Sequence, residues 1–289
     1  MFAKLFRSRP SVQSEPSGSI PNGQRIYAIG DIHGRLDLLK DLLARIAADE
    51  MDRAPAETQL IFLGDLIDRG PESAQTVEFL RLLALERTTG RTRFLTGNHE
   101  EVFLSGLDGS EKALRFFTRI GGRETILSYG FSEAEYDSLD YPELSAELQA
   151  RVPAEHRAFL AGFEDMIIIG DYVFVHAGVR PEEPLSNQQR KDLRWIRGEF
   201  IEHKGPFEKI VIHGHTITEA VEMTAHRIGL DTGAYASGKL TAMGFEGDRR
   251  WVLSGDLDET VAAIRMRLCG RDGSEIVAAR QAMQGQLWC

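Results

Sequence analysis

Short apolar runs alternate with longer stretches of helical periodicity along this chain, and the runs end alike. Arg25–Ile29, Gln59–Leu63, Thr92–Leu95, Tyr172–Val175 and Lys209–Ile212 are largely apolar and rich in β-branched or aromatic residues, as buried strands are. Each leads into loop chemistry: Gly30-Asp31-Ile32-His33-Gly34, Gly64-Asp65-Leu66-Ile67-Asp68-Arg69-Gly70, Gly97-Asn98-His99-Glu100, His176-Ala177-Gly178 and His213-Gly214-His215-Thr216. In open α/β sheets the ligand crevice lies beyond the carboxyl ends of the strands, so these loops are expected to gather Asp31, His33, Asp65, Asn98, His176 and His215 in one place.

Between the Gly97 and His176 loops, residues from Ser110 to Glu164 pattern as helix, with Leu114, Phe117 and Ile120 near helical spacing. Tyr141-Pro142 and Val152-Pro153 are expected to break this stretch into several helices. Its lysines and arginines read as a solvated face, and its place between the loops suits an insert (about 110–164) that caps the cleft. Residues 1–23 read as a leader, disordered from Ser11 to Gly23. The leader has no apolar core of a secretory signal, and a brief membrane contact through Phe2, Leu5 and Phe6 is the alternative to a solvated segment. Residues 256–289 read as a C-terminal helical extension broken at Cys269-Gly270, with Asp256 as an N-cap.

Taken singly, the loops say little. Asp31 in a Gly-Asp-x-His-Gly turn could cap the helix expected near Leu36, and a lone histidine after a strand is most often a hydrogen-bonded core residue. Jointly they say much, because five of the eight histidines (His33, His99, His176, His213 and His215) fall in strand-end loops. Carboxylate, imidazole and amide together form a mixed hard and borderline ligand set suited to manganese, iron, zinc or magnesium. Two such ions roughly 3.5–4 Å apart would turn a shared water into a hydroxide nucleophile and clamp an in-line displacement at phosphorus. The bridging ligand must be a carboxylate, and Asp65 is the candidate.

With these residues in view, the chain resembles the phosphoprotein phosphatase superfamily of metallophosphoesterases, most closely its bacterial and phage serine/threonine phosphatase branch, which is related to the symmetrical diadenosine tetraphosphatases. The resemblance runs from about Arg25 to Phe245 and includes Leu193-Arg194-Trp195-Ile196-Arg197 and Asp231-Thr232-Gly233-Ala234. It implies a four-layer α/β/β/α sandwich with a helical cap insert, its catalytic domain spanning 24–255. It implies further that Asp31, His33 and Asp65 hold one divalent ion, with manganese the first choice, while Asp65, Asn98, His176 and His215 hold the second. His99 matches the family's proton-donating histidine, Asp68 the carboxylate that orients it, and Arg69 and Arg197 the arginines that grip phosphoryl oxygens. The implied activity is hydrolysis of phosphoserine and phosphothreonine, with a dinucleoside polyphosphate or another phosphorylated small molecule as the alternative substrate. A phosphoprotein-binding module without catalysis is disfavoured, since no ligand, acid or arginine is missing. His213 departs from the pattern: it is expected either to pack under the site or to act as a further or outer ligand.

Composition narrows the setting. At 42% hydrophobic over 289 residues the chain can bury a large core. A net charge of −10 repels polyanions, so bulk nucleic acid is not an expected partner. Two cysteines form no disulfide framework, which suits a reducing cytoplasm. No apolar run reaches the ~18–20 residues of a membrane span, and stable membrane insertion is not expected.

Overall fold

The computed structural model describes residues 16–87 and 91–256. The first part of the leader and the expected C-terminal helices with both cysteines lie outside the described residues. Asp256 is the last residue of a strand rather than a helix cap. Disorder was expected through Gly23, but Ser19 donates from its backbone and hydroxyl to Asp171, and Ile20 is buried. An apolar side chain one strand-length before β1 is enough to pin this segment.

Two five-stranded sheets form the centre. The first contains β1 (Gln24–Ile29), β2 (Glu57–Phe62), β3 (Thr92–Phe94), β9 (Lys239–Glu246) and β10 (Arg249–Asp256), in the order β10-β9-β1-β2-β3. The second contains β4 (Met166–Ile169), β5 (Tyr172–Val175), β6 (Ile210–His213), β7 (Glu222–Met223) and β8 (Arg227–Gly229), in the order β4-β5-β6-β8-β7. Within them β1, β2 and β3 are parallel, as are β5, β6 and β8.

Side-chain alternation builds the layers. Successive residues of a strand face opposite sides, and here both sides are apolar. Ile26 and Ala28 of β1 point between the sheets, where they meet Ile61, Phe174, Ile212 and Phe245; Tyr27 and Ile29 point outward. On the second sheet Tyr172 and Phe174 face inward, while Val173 and Val175 face Leu193, Ile196 and Phe200. Three apolar interfaces around two sheets require helices on both outer faces, which is the four-layer α/β/β/α sandwich.

The outer face of the first sheet packs against α1 (Leu36–Met51), α2 (Ser73–Glu86) and α3 (Asn98–Leu107). The expected insert is α4 (Glu111–Phe117), α5 (Arg123–Ser128), α6 (Glu133–Ser138), α7 (Tyr141–Arg151) and α8 (Ala154–Ala161). Pro142 opens α7, and Pro153 caps α8, as X-Pro boundaries should. The one break that periodicity concealed is a kink at Thr118–Gly122, where Gly121 adopts φ +115°. Short helices α9 (Arg190–Trp195) and α10 (Gly198–Ile201) lie on the second sheet, and α11 (Ala234–Ser237) precedes β9. Among the described residues no helix is long and apolar enough to cross a membrane.

Candidate metal centre

The loops after β1, β2, β3, β5 and β6 do converge. Asp31, His33, Asp65, Asp68, Asn98, His99, His176 and His215 are all buried at this end of the sandwich. Backbone strain is concentrated there too. Among the described residues, six non-glycine residues have positive φ, and five of them are His33, Asp65, Asp68, Arg69 and His215. Left-handed backbone costs a non-glycine residue about 1–3 kcal/mol, so such clustering marks a site where geometry is held against its own preference. Close approach sets the glycines: a Cβ on Gly97 would lie 2.1 Å from Asp65 Oδ1, and one on Gly214 would lie 2.0 Å from Asp31 Oδ1.

Asp65 is the hub. Its Oδ2 lies 3.4 Å from His176 Nε2, 3.7 Å from His33 Nε2 and 3.8 Å from His99 Nε2. His176 Nε2 is also 3.1 Å from Asn98 Oδ1 and 3.2 Å from His215 Nδ1. Donor atoms held ~2.1 Å from one ion lie about 3.0–3.4 Å from one another, so this convergence fits a coordination sphere. The imidazole tautomers fit as well. His33 and His176 each donate from Nδ1 to a backbone carbonyl, of Ile67 and Leu63, both at 2.8 Å, which leaves Nε2 as the lone-pair nitrogen facing Asp65. His215 Nε2 is buried without a partner.

Electrostatics agrees with ligand duty. Burial drives the His33 pKa down to about 3 and the His215 pKa to about 2, so both imidazoles are neutral and free to coordinate. Burial alone would raise Asp65, but His176 and His99 hold it well below the carboxylate range; against burial, Asp65 in turn raises His176, which must give up that proton to serve as a ligand. Asp31 is pushed up by burial and by its neighbours Asp231 and Asp65, a charge crowding that a divalent cation would relieve. Its carboxylate accepts from the His215 backbone N–H, at 3.2 Å to Oδ1 and 3.0 Å to Oδ2; it does not cap α1, whose N-cap is Arg35.

Around this hub sit further polar and charged groups. His99 Nδ1 and Asp68 Oδ2 are 2.5 Å apart, and Asp68 is locked from behind by Thr125 Oγ1, which donates to Asp68 Oδ1 at 2.6 Å. Arg69 lies 3.0 Å from His33 Nε2 through NH1 and 3.1 Å from His99 Nε2 through NH2, with Tyr235 stacked on its guanidinium at 4.8 Å. Arg197 NH1 donates to the His215 carbonyl at 3.1 Å. His213 does not join the cluster that Asp65, His176 and His215 form. The left-handed turn at His215 breaks the strand, and the His213 ring instead packs edge-on against Phe200 at 4.9 Å.

Three residues of this machinery escaped the sequence reading. Glu100 accepts from the backbone N–H groups of Asp65, Leu66 and Gly97 at 2.8–2.9 Å and so ties the β2 and β3 loops together. Its place beside His99 was the available signal. Thr125 and Tyr235 come from helices remote in sequence and carry no local mark.

The chain belongs to the calcineurin-like phosphoesterase family, whose profile matches residues 24–257. Among curated relatives, the asymmetrical bis(5'-nucleosyl)-tetraphosphatase PrpE of Oceanobacillus iheyensis is 25% identical over 76% of this chain and 88% of its own. The symmetrical bis(5'-nucleosyl)-tetraphosphatase of Methylococcus capsulatus is 33% identical over 54% of this chain and 44% of its own. A solved structure provisionally named a diadenosine tetraphosphatase superposes with TM-score 0.57 at 21% identity, over 85% of this chain and all of that one (100%). A variant of a cold-active protein tyrosine phosphatase gives 0.53 at 17%, over 82% and 83%. Both structures attest the fold alone.

Proposed function

We propose that this chain is a two-metal hydrolase whose main substrates are dinucleoside polyphosphates. One observation carries the catalytic half: a single buried oxygen of Asp65 lies 3.7 Å from His33 Nε2 of one ligand set and 3.4 Å from His176 Nε2 of the other, as a carboxylate shared by two cations would. The substrate half rests on the relatives, which are named as tetraphosphatases of dinucleosides. Phosphoserine and phosphothreonine, expected first from the sequence, take second place.

In this reading Asp31, His33 and Asp65 hold one divalent ion, and Asp65, Asn98, His176 and His215 the other, with manganese the first choice before iron, zinc or magnesium. Bound there, the pair would supply an activated water and charge neutralisation for in-line displacement at phosphorus. The chain's own groups do the rest. Arg69 and Arg197 engage phosphoryl oxygens, where a planar guanidinium matches the geometry of the anion. His99 holds a proton at Nε2 for the departing oxygen while Asp68 fixes the ring from Nδ1. The reducing cytoplasm expected from the two cysteines completes the proposal.

The second reading, phosphoester hydrolysis on proteins, draws support from the His99–Asp68 pair, since a seryl or threonyl alkoxide needs a proton far more than a nucleotide leaving group does. A substrate panel separates the two. Manganese-loaded protein is assayed on diadenosine tetraphosphate, a phosphoserine peptide, a phosphotyrosine peptide and p-nitrophenyl phosphate. A higher kcat/KM on the dinucleotide than on either peptide is expected; the reverse order would install the protein-phosphatase reading instead.

A further inference from the structure

The insert carries eight phenylalanines and tyrosines that could stack on a base, and the structure sorts them: Phe159 and Phe163 pack on Phe94 in the core. Phe117 and Phe131 are buried, and Tyr129 is packed in the core with its hydroxyl on His156. Tyr136 and Tyr141 are each covered by a guanidinium, from Arg123 and Arg115. Phe116 alone is open, and at 41% exposure it is the only aromatic among the large exposed hydrophobics of the described residues.

Phe116 is not isolated. Its ring lies 5.9 Å from that of Trp195, tilted by 37°. Trp195 is fixed by a 2.6 Å hydrogen bond from Nε1 to Glu101 Oε2. Both anchors lead back to the centre, because Glu101 is two residues past His99 in α3 and Trp195 is two residues before Arg197. Two residues of chain span at most ~7 Å, so the platform flanks the cleft in which Arg197 and His99 stand. The charges beside it suit an anion. Arg119, one turn on from Phe116 at the kink, is exposed and has no hydrogen bond or ion pair among the described residues. The same kink grips Arg69, whose backbone N–H donates to the Gly121 carbonyl at 2.9 Å.

We propose that Phe116, backed by Trp195 and flanked by Arg119, is a subsite that stacks one purine ring of a dinucleotide while its polyphosphate runs toward Arg69 and Arg197. This inference rests on the dinucleotide reading above. A purine fits because its flat face stacks on an aromatic ring and its attached phosphates match cations that lack carboxylate partners. A peptide offers neither feature in general.

The test compares wild type with Phe116→Ala and Phe116→Trp, each manganese-loaded, on diadenosine tetraphosphate and on p-nitrophenyl phosphate. Phe116 lies outside the metal centre and on the surface, so its truncation leaves the fold and the small-substrate rate in place. Loss of base stacking should raise KM for the dinucleotide about tenfold with kcat nearly unchanged, while Phe116→Trp restores it and p-nitrophenyl phosphate kinetics stay constant. Wild type that cleaves the dinucleotide while Phe116→Ala keeps its KM would overturn the subsite alone. Wild type that cleaves p-nitrophenyl phosphate and leaves the dinucleotide intact would overturn the functional reading and the subsite with it.

Discussion

Replacing His99 with Asn isolates the proton from the metals. His99 and Asp68 are buried, their contact atoms are 2.5 Å apart, and Thr125 holds the far oxygen of Asp68, so the ring has one orientation. Burial alone would depress the imidazole, but Asp65 and then Asp68 outweigh it and raise His99 above its ordinary 6.5, against the opposing charge of Arg69. The protonated form therefore persists above pH 6.5 and is lost as pH rises through the raised value. A general acid typically contributes 10²–10⁴-fold, about 3–5 kcal/mol of barrier, where the leaving group is a basic alkoxide. His99→Asn should thus slow any phosphoserine peptide hydrolysis by roughly that factor, and p-nitrophenyl phosphate and diadenosine tetraphosphate much less, because their leaving groups depart as weak bases. Asp68→Asn removes a charge-assisted hydrogen bond worth about 1.5–3 kcal/mol, so a smaller loss of roughly 10- to 150-fold on the peptide is expected. The same change should move the alkaline limb of the pH–rate profile to lower pH, since the carboxylate that raised the imidazole is gone. Steady-state rates across pH 5–9 on three substrates, with metal content measured in parallel, decide the matter. Equal losses on all substrates at constant metal content would refute a proton-donating His99.

Two further substitutions probe the centre from other sides. His215→Ala should lose metal and activity by far more than tenfold, whereas His213→Ala, which removes a ring packed on Phe200, should cost about 1–3 kcal/mol of stability and leave metal binding nearly intact; calorimetric titration and a melting curve on each protein would expose the opposite ranking. Arg69→Ala should bind divalent metal more tightly yet turn over more slowly: the guanidinium now engages His33 Nε2 at 3.0 Å, and two unit charges ~5 Å apart repel by about 3 kcal/mol at an effective dielectric of 20. Weaker metal binding by Arg69→Ala would show instead that this arginine supports the ligand sphere.

Much of the fold was legible because both faces of each sheet are apolar. Continuous runs such as Tyr172–Val175 announced buried strands, and each strand end carried its own candidate ligand, so position and candidate chemistry were encoded together. The strand-end loops bring Asp31, His33, Asp65, Asn98, His176 and His215 together for the same reason. What the sequence hid were effects of distance and of backbone. Thr125 reaches Asp68 across 57 residues of chain, and no local pattern records that. His213 and His215 stand two residues apart, yet their rings part company, because the strand ends at His213 and His215 has φ +62°: His213 packs on Phe200 while His215 meets His176. Helical spacing through Ile120 and Gly121 concealed the kink that seats Arg69. The substrate was least legible, since candidate metal ligands point to chemistry at phosphorus, whereas the proposed stacking site at Phe116 is a single exposed residue with no motif around it.

The central claim is a shared carboxylate, and metal stoichiometry tests it most directly. Asp65 faces His33, His99 and His176 from one oxygen, so Asp65→Asn removes a charge from both ion sites together, whereas Asp31→Asn should empty chiefly one. Elemental analysis after equilibration with manganese at fixed free concentration should give two ions per chain for wild type, about one for Asp31→Asn and close to none for Asp65→Asn. An Asp65→Asn protein that retains two ions and wild-type activity would contradict the account.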